Sequence, residues 1–141
     1  MANDAVAVGH EIPPWTMDFV DPARMRTMAA ILRDPYTVHW DRAGNERLGF
    51  PGRVINQGPL NVSYIANMLI AWAGPDCLRR LTLAFARPVL DGDSVTARGL
   101  VTAVDTTDGE HLATCDVWLA RADERVVHGN AMVRLPRVPG M

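Results

Sequence analysis

The sequence predicts an α+β fold in which an antiparallel sheet wraps around one long helix, and three patterns carry that expectation. Residues 59–73, PLNVSYIANMLIAWA, begin on proline, stop at Gly74-Pro75 and are apolar on nearly every face. A helix of that kind is a buried one. From Leu81 onward the apolar period changes from about 3.6 to 2, the helix-to-strand switch. Short polar turns, DGD, DTTDGE and RADER, separate the alternating runs, a spacing that suits antiparallel neighbours. A buried helix followed by a run of strands is the α+β arrangement.

The elements follow in order. The first twenty residues carry Pro13, Pro14 and Trp15 and are expected to run extended along the surface or as an edge strand. Asp21-Pro22 reads as an N-cap followed by proline in the first helical turn. Met25, Met28, Ala29 and Leu32 then recur at i, i+3, i+4, i+7, one apolar face of a short helix packed on the core. Pro35 pushes Asp34 out of the helical region and ends that helix. From Asp34 to Gln57 the chain is loop-rich, with a turn of helix from Asp41 to Leu48 closed by Gly49; a loop this long in a small domain is often functional. After the long helix come four alternating sets: Leu81, Leu83, Phe85; Val95 to Ala103; Ala113, Cys115, Val117, Leu119; and Val127 to Leu135.

A chain of 141 residues fits one domain spanning 1–141. Its 48% apolar and 21% charged residues allow a core without disulfides or metal. The formal charge of −2 supplies no electrostatic footprint for nucleic acid. Cys77 and Cys115 lie far apart and read as small, half-buried apolar side chains rather than as metal ligands, a nucleophile or a disulfide. The N-terminal segment lacks a basic stretch followed by a continuous apolar run. The longest apolar stretch, Ile65 to Gly74, is too short to cross a bilayer. No membrane association and a cytoplasmic location are the expectation.

The segment Asp34-Pro-Tyr-Thr-Val-His39-Trp-Asp41 is the most informative. It sets a carboxylate and an imidazole on one irregular loop, where extended backbone lets both turn toward one point. Histidine exchanges protons near neutral pH, and a carboxylate beside it can fix its tautomer or act as a second proton-transfer group. A solvated histidine near a helix-capping aspartate has the same spacing. Gly49-Phe-Pro-Gly-Arg-Val-Ile-Asn-Gln-Gly58 leads into the long helix and places Gly58 at its head. Backbone N–H groups and the positive end of the dipole meet there and can hold an oxygen that gains negative charge; alternatively, Gly58 only starts the helix. Arg53 is a candidate for phosphate or for a structural ion pair, and Arg79, Arg80 and Arg87 flank a strand. His10, His111 and His128 have no metal-ligand spacing. Trp40 and Trp72 read as core or pocket-wall residues. The G-x-S-x-G elbow, the phosphate-binding glycine loop and the dinucleotide fingerprint are all missing.

Taken in order, Asp34…His39-Trp-Asp41, LGFPGRVINQG and the buried helix resemble the MaoC-like dehydratases, the (R)-specific enoyl-CoA hydratase family. The family motif has the form D-x-N-P-x-H-x-D followed by a glycine at the head of the helix. Asp34, His39, Asp41 and Gly58 match it, Tyr36 and Thr37 replace Asn-Pro, and Gln57 stands where histidine is common. Phe85-Ala-Arg-Pro-Val-Leu-Asp-Gly-Asp93 and Gly129-Asn-Ala-Met-Val133 are similar to later family segments, so the likeness runs from about residue 20 to 135.

That resemblance implies a hot-dog fold and hydration of a trans-2-enoyl-CoA, or dehydration of a 3-hydroxyacyl-CoA. Asp34 and His39 would share one water, and the Gly58 N–H would hold the thioester oxygen. Arg53, Asn56, Gln57 and Trp40 are expected to contact substrate. It implies no cofactor beyond the coenzyme A of the substrate, no metal, and a homodimer or a heteromer with a second hot-dog chain. A looser likeness links RDPYTVHWDR…WAGP to small subunits of heteromeric hydratases acting on steroid side-chain CoA esters. An acyl-CoA thioesterase, or a subunit inactive alone, are the competing readings.

Overall fold

The computed structural model describes residues 6–50 and 52–136; the first five residues of the expected extended segment lie outside them. Strand β1 (Glu11–Met17) precedes helix α1 (Pro22–Leu32), a 3-10 turn (Thr37–His39) and the short helix α2 (Arg42–Arg47). The long helix α3 (Gly58–Ala73) follows, and then strands β2 (Leu78–Phe85), β3 (Val95–Thr107), β4 (Glu110–Arg121) and β5 (Glu124–Arg134). The five strands form one sheet in the order β1-β3-β4-β5-β2, antiparallel throughout. Helix α3 packs against all five strands. The expected α+β layout is therefore present.

Local chemistry explains the elements. Asp21 caps α1 by accepting from the Ala23 N–H at 2.8 Å, with Pro22 in the first turn. Arg33 closes α1 in the left-handed region at φ 51°, and Pro35 then keeps Asp34 extended. On β4, the two-residue alternation of side chains turns Ala113, Cys115, Val117 and Leu119 fully inward. They meet Ile65, Met68 and Leu69 of α3 in the core. Each such large side chain, once buried, contributes about 1.5–3 kcal/mol of hydrophobic stabilisation. On β5, Gly129 lets β2 approach: a Cβ there would collide with the Thr82 carbonyl.

Four expectations need correction. The alternating sets do not form a simple meander, because β2 and β3 lie apart in the sheet. Their connection crosses the end of the sheet, tied by Asn56 N–H to Val89 O at 2.7 Å and by Gly92 N–H to Val20 O at 2.8 Å. The apolar face expected on α1 buries only Met25; Leu32 is 43% exposed and its neighbour Ile31 69%. Helix α3 is likewise not enclosed, since the sheet covers one side and leaves Asn67, Ile70 and Ala71 exposed. Both cysteines are buried completely rather than halfway. No helix among the described residues is long and apolar enough to cross a membrane.

Candidate active site

The loop that carries His39 is held from both sides. Val38 is buried and acts as its anchor. The Val38 carbonyl accepts from the Ile55 N–H at 2.9 Å and from Asn45 Nδ2 at 2.8 Å. Asn45 is itself buried, and its amide also donates to the Arg53 carbonyl at 2.8 Å. The 3-10 turn is thus fastened to α2 and to the segment that leads into α3.

Two residues of that loop come together. Asp34 Oδ2 lies 3.5 Å from His39 Nε2. The other oxygen of the carboxylate, Oδ1, accepts from the Tyr36 N–H at 3.1 Å, which fixes its rotation. His39 Nδ1 lies 2.7 Å from the Ile55 carbonyl oxygen. A carbonyl only accepts, so in the neutral ring Nδ1 holds the proton and Nε2 presents a lone pair toward Asp34. Tyr36 packs edge-on against the imidazole, with ring centroids 5.8 Å apart. The His39 side chain is 11% exposed and the Asp34 side chain 35%. One faces a cavity and the other remains reachable by water.

That cavity, about 620 Å³, is walled by His39, Asn56, Gly58, Asn61, Phe85 and Arg87 among others. Gly58 is the first residue of α3, and its cap, Gln57, makes no side-chain bond to the helix end. The first N–H groups of a helix have no intrahelical partner, and among the described residues no serine, threonine or aspartate side chain occupies them. The Leu60 and Asn61 N–H groups both turn back to the Gln57 carbonyl, at 3.1 and 3.2 Å, and Pro59 has none. The Gly58 N–H is what the first turn offers to a ligand. A side chain at Gly58 would meet the Phe85 ring at 3.4 Å, so glycine keeps that approach clear.

The remaining expected substrate contacts separate. Asn56 is 3% exposed and lines the cavity. Arg53 is engaged elsewhere: Nε donates to the Asp91 carbonyl at 2.9 Å and Nη2 pairs with Asp93 at 2.6 Å. Its structural reading is the one the geometry supports. Gln57 turns away from the cavity, buried, with Nε2 donating to the Met25 carbonyl at 2.7 Å. Trp40 is 53% exposed and forms no part of the cavity wall, while Trp72 is in the core. Among the described residues no cluster of histidine, cysteine, aspartate and glutamate could hold a metal ion.

Sequence reasoning passed over Asn45, Asn61 and Tyr64. Asn56 Nδ2 donates to Asn61 Oδ1 at 2.8 Å and to the Tyr64 hydroxyl at 3.2 Å, a buried polar chain that links the cavity wall at Asn56 and Asn61 to Tyr64 in the core. Burial pushes the Tyr64 hydroxyl pKa up, partly offset by the Asn56 bond and by Arg24, so it stays protonated. The available signal was a polar residue at each turn of an otherwise apolar helix.

The profile of the MaoC like domain family matches residues 7–129. A comparison with curated protein sequences found no match. Among solved structures, the (R)-hydratase from A. caviae involved in PHA biosynthesis is 27% identical, with a TM-score of 0.81, over 94% of this chain and 99% of that one. A chain of the ChsH1–ChsH2 complex from Mycobacterium tuberculosis is 26% identical, with a TM-score of 0.78, over 93% and 99%. The C-terminally truncated HadBC (3R-hydroxyacyl-ACP dehydratase) complex from the same organism, 17% identical with a TM-score of 0.67 over 92% and 98%, shares the fold. The sheet wrapped around α3 is the hot-dog fold of these proteins.

Proposed function

The chain belongs to the MaoC-like dehydratase family, and on that premise we propose that it adds water to the double bond of a trans-2-enoyl-CoA or, in reverse, dehydrates a 3-hydroxyacyl-CoA. Family membership and the likeness to the A. caviae (R)-hydratase support hydro-lyase chemistry in general. The observation that carries the finer reading is the 3.5 Å approach of Asp34 Oδ2 to His39 Nε2, with Nδ1 committed to Ile55.

Both facing atoms are acceptors when the ring is neutral and the carboxylate ionised. One water can donate a hydrogen to each, which turns its oxygen lone pairs outward. That oxygen adds to C3 of the enoyl group. The Asp34–His39 pair takes one proton from the water and returns one to C2, so the sum is addition of one water. Negative charge develops on the thioester oxygen as C3 is attacked, and the Gly58 N–H at the positive end of α3 stabilises it. The chemistry calls on no cofactor; coenzyme A enters with the substrate. Arg87, the arginine on the cavity wall, pairs with Glu124 at 2.6 Å. In place of Arg53, it is our candidate for meeting a phosphate of the carrier.

A panel of enoyl-CoAs, linear and ring-bearing, tests this by mass: each substrate should gain one water. Release of free thiol from saturated acyl-CoA without hydration would favour a thioesterase instead. We further propose that the working assembly contains a second hot-dog chain, identical or different. The likeness to a chain of the ChsH1–ChsH2 complex and the exposed apolar residues of α1 support it. Native mass measurement of the purified protein, alone and with co-purifying chains, decides which.

A further inference from the structure

We propose that Asn61 is a second donor to the thioester oxygen, acting through Nδ2 beside the Gly58 N–H; this deepens the hydratase reading and rests on it. An oxyanion site works through several preorganised donors, and the first turn of α3 supplies few. Pro59 has no N–H, and the Leu60 and Asn61 N–H groups are bound to the Gln57 carbonyl. The backbone therefore offers Gly58 alone, and a side chain must provide the rest.

Asn61 is placed to do so. It is 4% exposed, yet forms part of the cavity wall. It stands three residues after Gly58, on the same face. Helical side chains lean toward the N-terminus, so its carboxamide lies over the turn that Gly58 begins. Its orientation is set from behind. Asn56 Nδ2 donates to Asn61 Oδ1 at 2.8 Å and to Tyr64 at 3.2 Å, while the Asn56 backbone is tied to Val89. With Oδ1 turned to Asn56, Asn61 Nδ2 points the other way. Reversing both amides would strand the N–H pair of Asn56 instead of one carbonyl oxygen, and stranded donors are the rarer case.

Two further observations agree. Asn61 Nδ2 has no hydrogen-bond partner among the described residues, and it is not one of the buried atoms left stranded, so it opens to the cavity. Asn56 Oδ1, the other unpartnered amide atom of the pair, is buried, so of the two only Asn61 Nδ2 is open to a ligand.

The test uses the purified protein in the assembly that hydrates crotonyl-CoA. Asn61→Asp keeps an acceptor for Asn56 and removes the donor; Asn61→Ala removes both. Each is expected to lower kcat by about 10²-fold, with KM changed only a few-fold. The second readout is the absorbance of bound 2,4-hexadienoyl-CoA in an Asp34→Asn background, where turnover is blocked. Polarisation of the thioester carbonyl should move the band to longer wavelength, and adding Asn61→Asp should diminish that shift. Asn61 variants with wild-type kcat and an undiminished shift would overturn the proposal while leaving the hydratase reading in place. A fall in kcat with the shift intact would overturn it too, assigning Asn61 to support of the cavity wall. A wild type inactive on every enoyl-CoA would remove the hydratase reading and this proposal together.

Discussion

His39 Nδ1 and the Ile55 carbonyl oxygen, 2.7 Å apart, decide which nitrogen of the ring is left for chemistry. Ile55 also gives its N–H to Val38, the residue before His39, so one residue fixes both the loop and the tautomer. Long-range ¹⁵N–¹H spectra should show the neutral His39 ring protonated at Nδ1 with Nε2 bare. A ring protonated at Nε2 would remove the proton acceptor that the hydration scheme requires.

Asn45 lies outside the cavity wall, yet it holds the loop that carries His39 through Val38 and Arg53. Asn45→Ala deletes both bonds inside a buried site, a loss of about 1–3 kcal/mol. We expect a lower unfolding temperature together with a fall in kcat of up to about 10²-fold, since small displacements of reacting groups are costly. Asn45→Ala with unchanged kcat would show that the loop is held by other means.

Asp93 joins the crossing segment to the rest of the fold. It pairs with Arg53 at 2.6 Å and Arg121 at 2.7 Å and accepts from the Leu90 N–H at 2.9 Å. Burial alone would raise its pKa, but the Leu90 N–H and the two arginines outweigh burial and hold it below the usual carboxylate value. A lowered folded-state pKa means that this stability is fully present above the unfolded value of about 3.9 and is lost as pH falls through the folded one. Asp93→Asn should therefore reduce stability near neutral pH and flatten its decline in acid, measured by denaturant unfolding at several pH values. Parallel profiles for the two proteins would contradict this.

The cysteines should be inert. Burial pushes the Cys115 pKa up to about 12, with a smaller contribution from Cys77, and burial raises Cys77 as well. The reactive thiolate is thus suppressed at ordinary pH. A thiol-reactive chromophore at pH 8 should label neither residue in the native state and both after unfolding; rapid native labelling would place one of them at the surface.

Much of this site was legible because its signals are local. Asp21-Pro22, Pro35 and Gly58-Pro59 constrain their own backbone, so the helix boundaries and the extended turn at Asp34 follow from neighbouring residues. The convergence of Asp34 and His39 needed only that short turn. What could not be read depends on partners far along the chain. Arg53 meets Asp91 and Asp93 about forty positions later, and Gln57 finds a backbone carbonyl on α1. The DGD sequence looks like a hairpin turn, although it ends a crossing between strands that are not neighbours. Apolar periodicity marked α1 and α3 as helices. It did not say how much of each face one sheet would cover, hence the exposed Ile31 and Ile70. Asn61 went unnoticed because a polar residue on a largely apolar helix has no meaning until its cavity is known.

The central claim is that Asp34 and His39 act on one shared water, and crotonyl-CoA hydration by the wild type, Asp34→Ala, His39→Ala and the double variant tests it most directly. Each single variant should lose about 10²–10⁴-fold in kcat, with its thermal unfolding close to wild type. The double variant should fall little further, because groups that act as a unit are not additive. Full turnover in either single variant, or losses that multiply in the double variant, would contradict it.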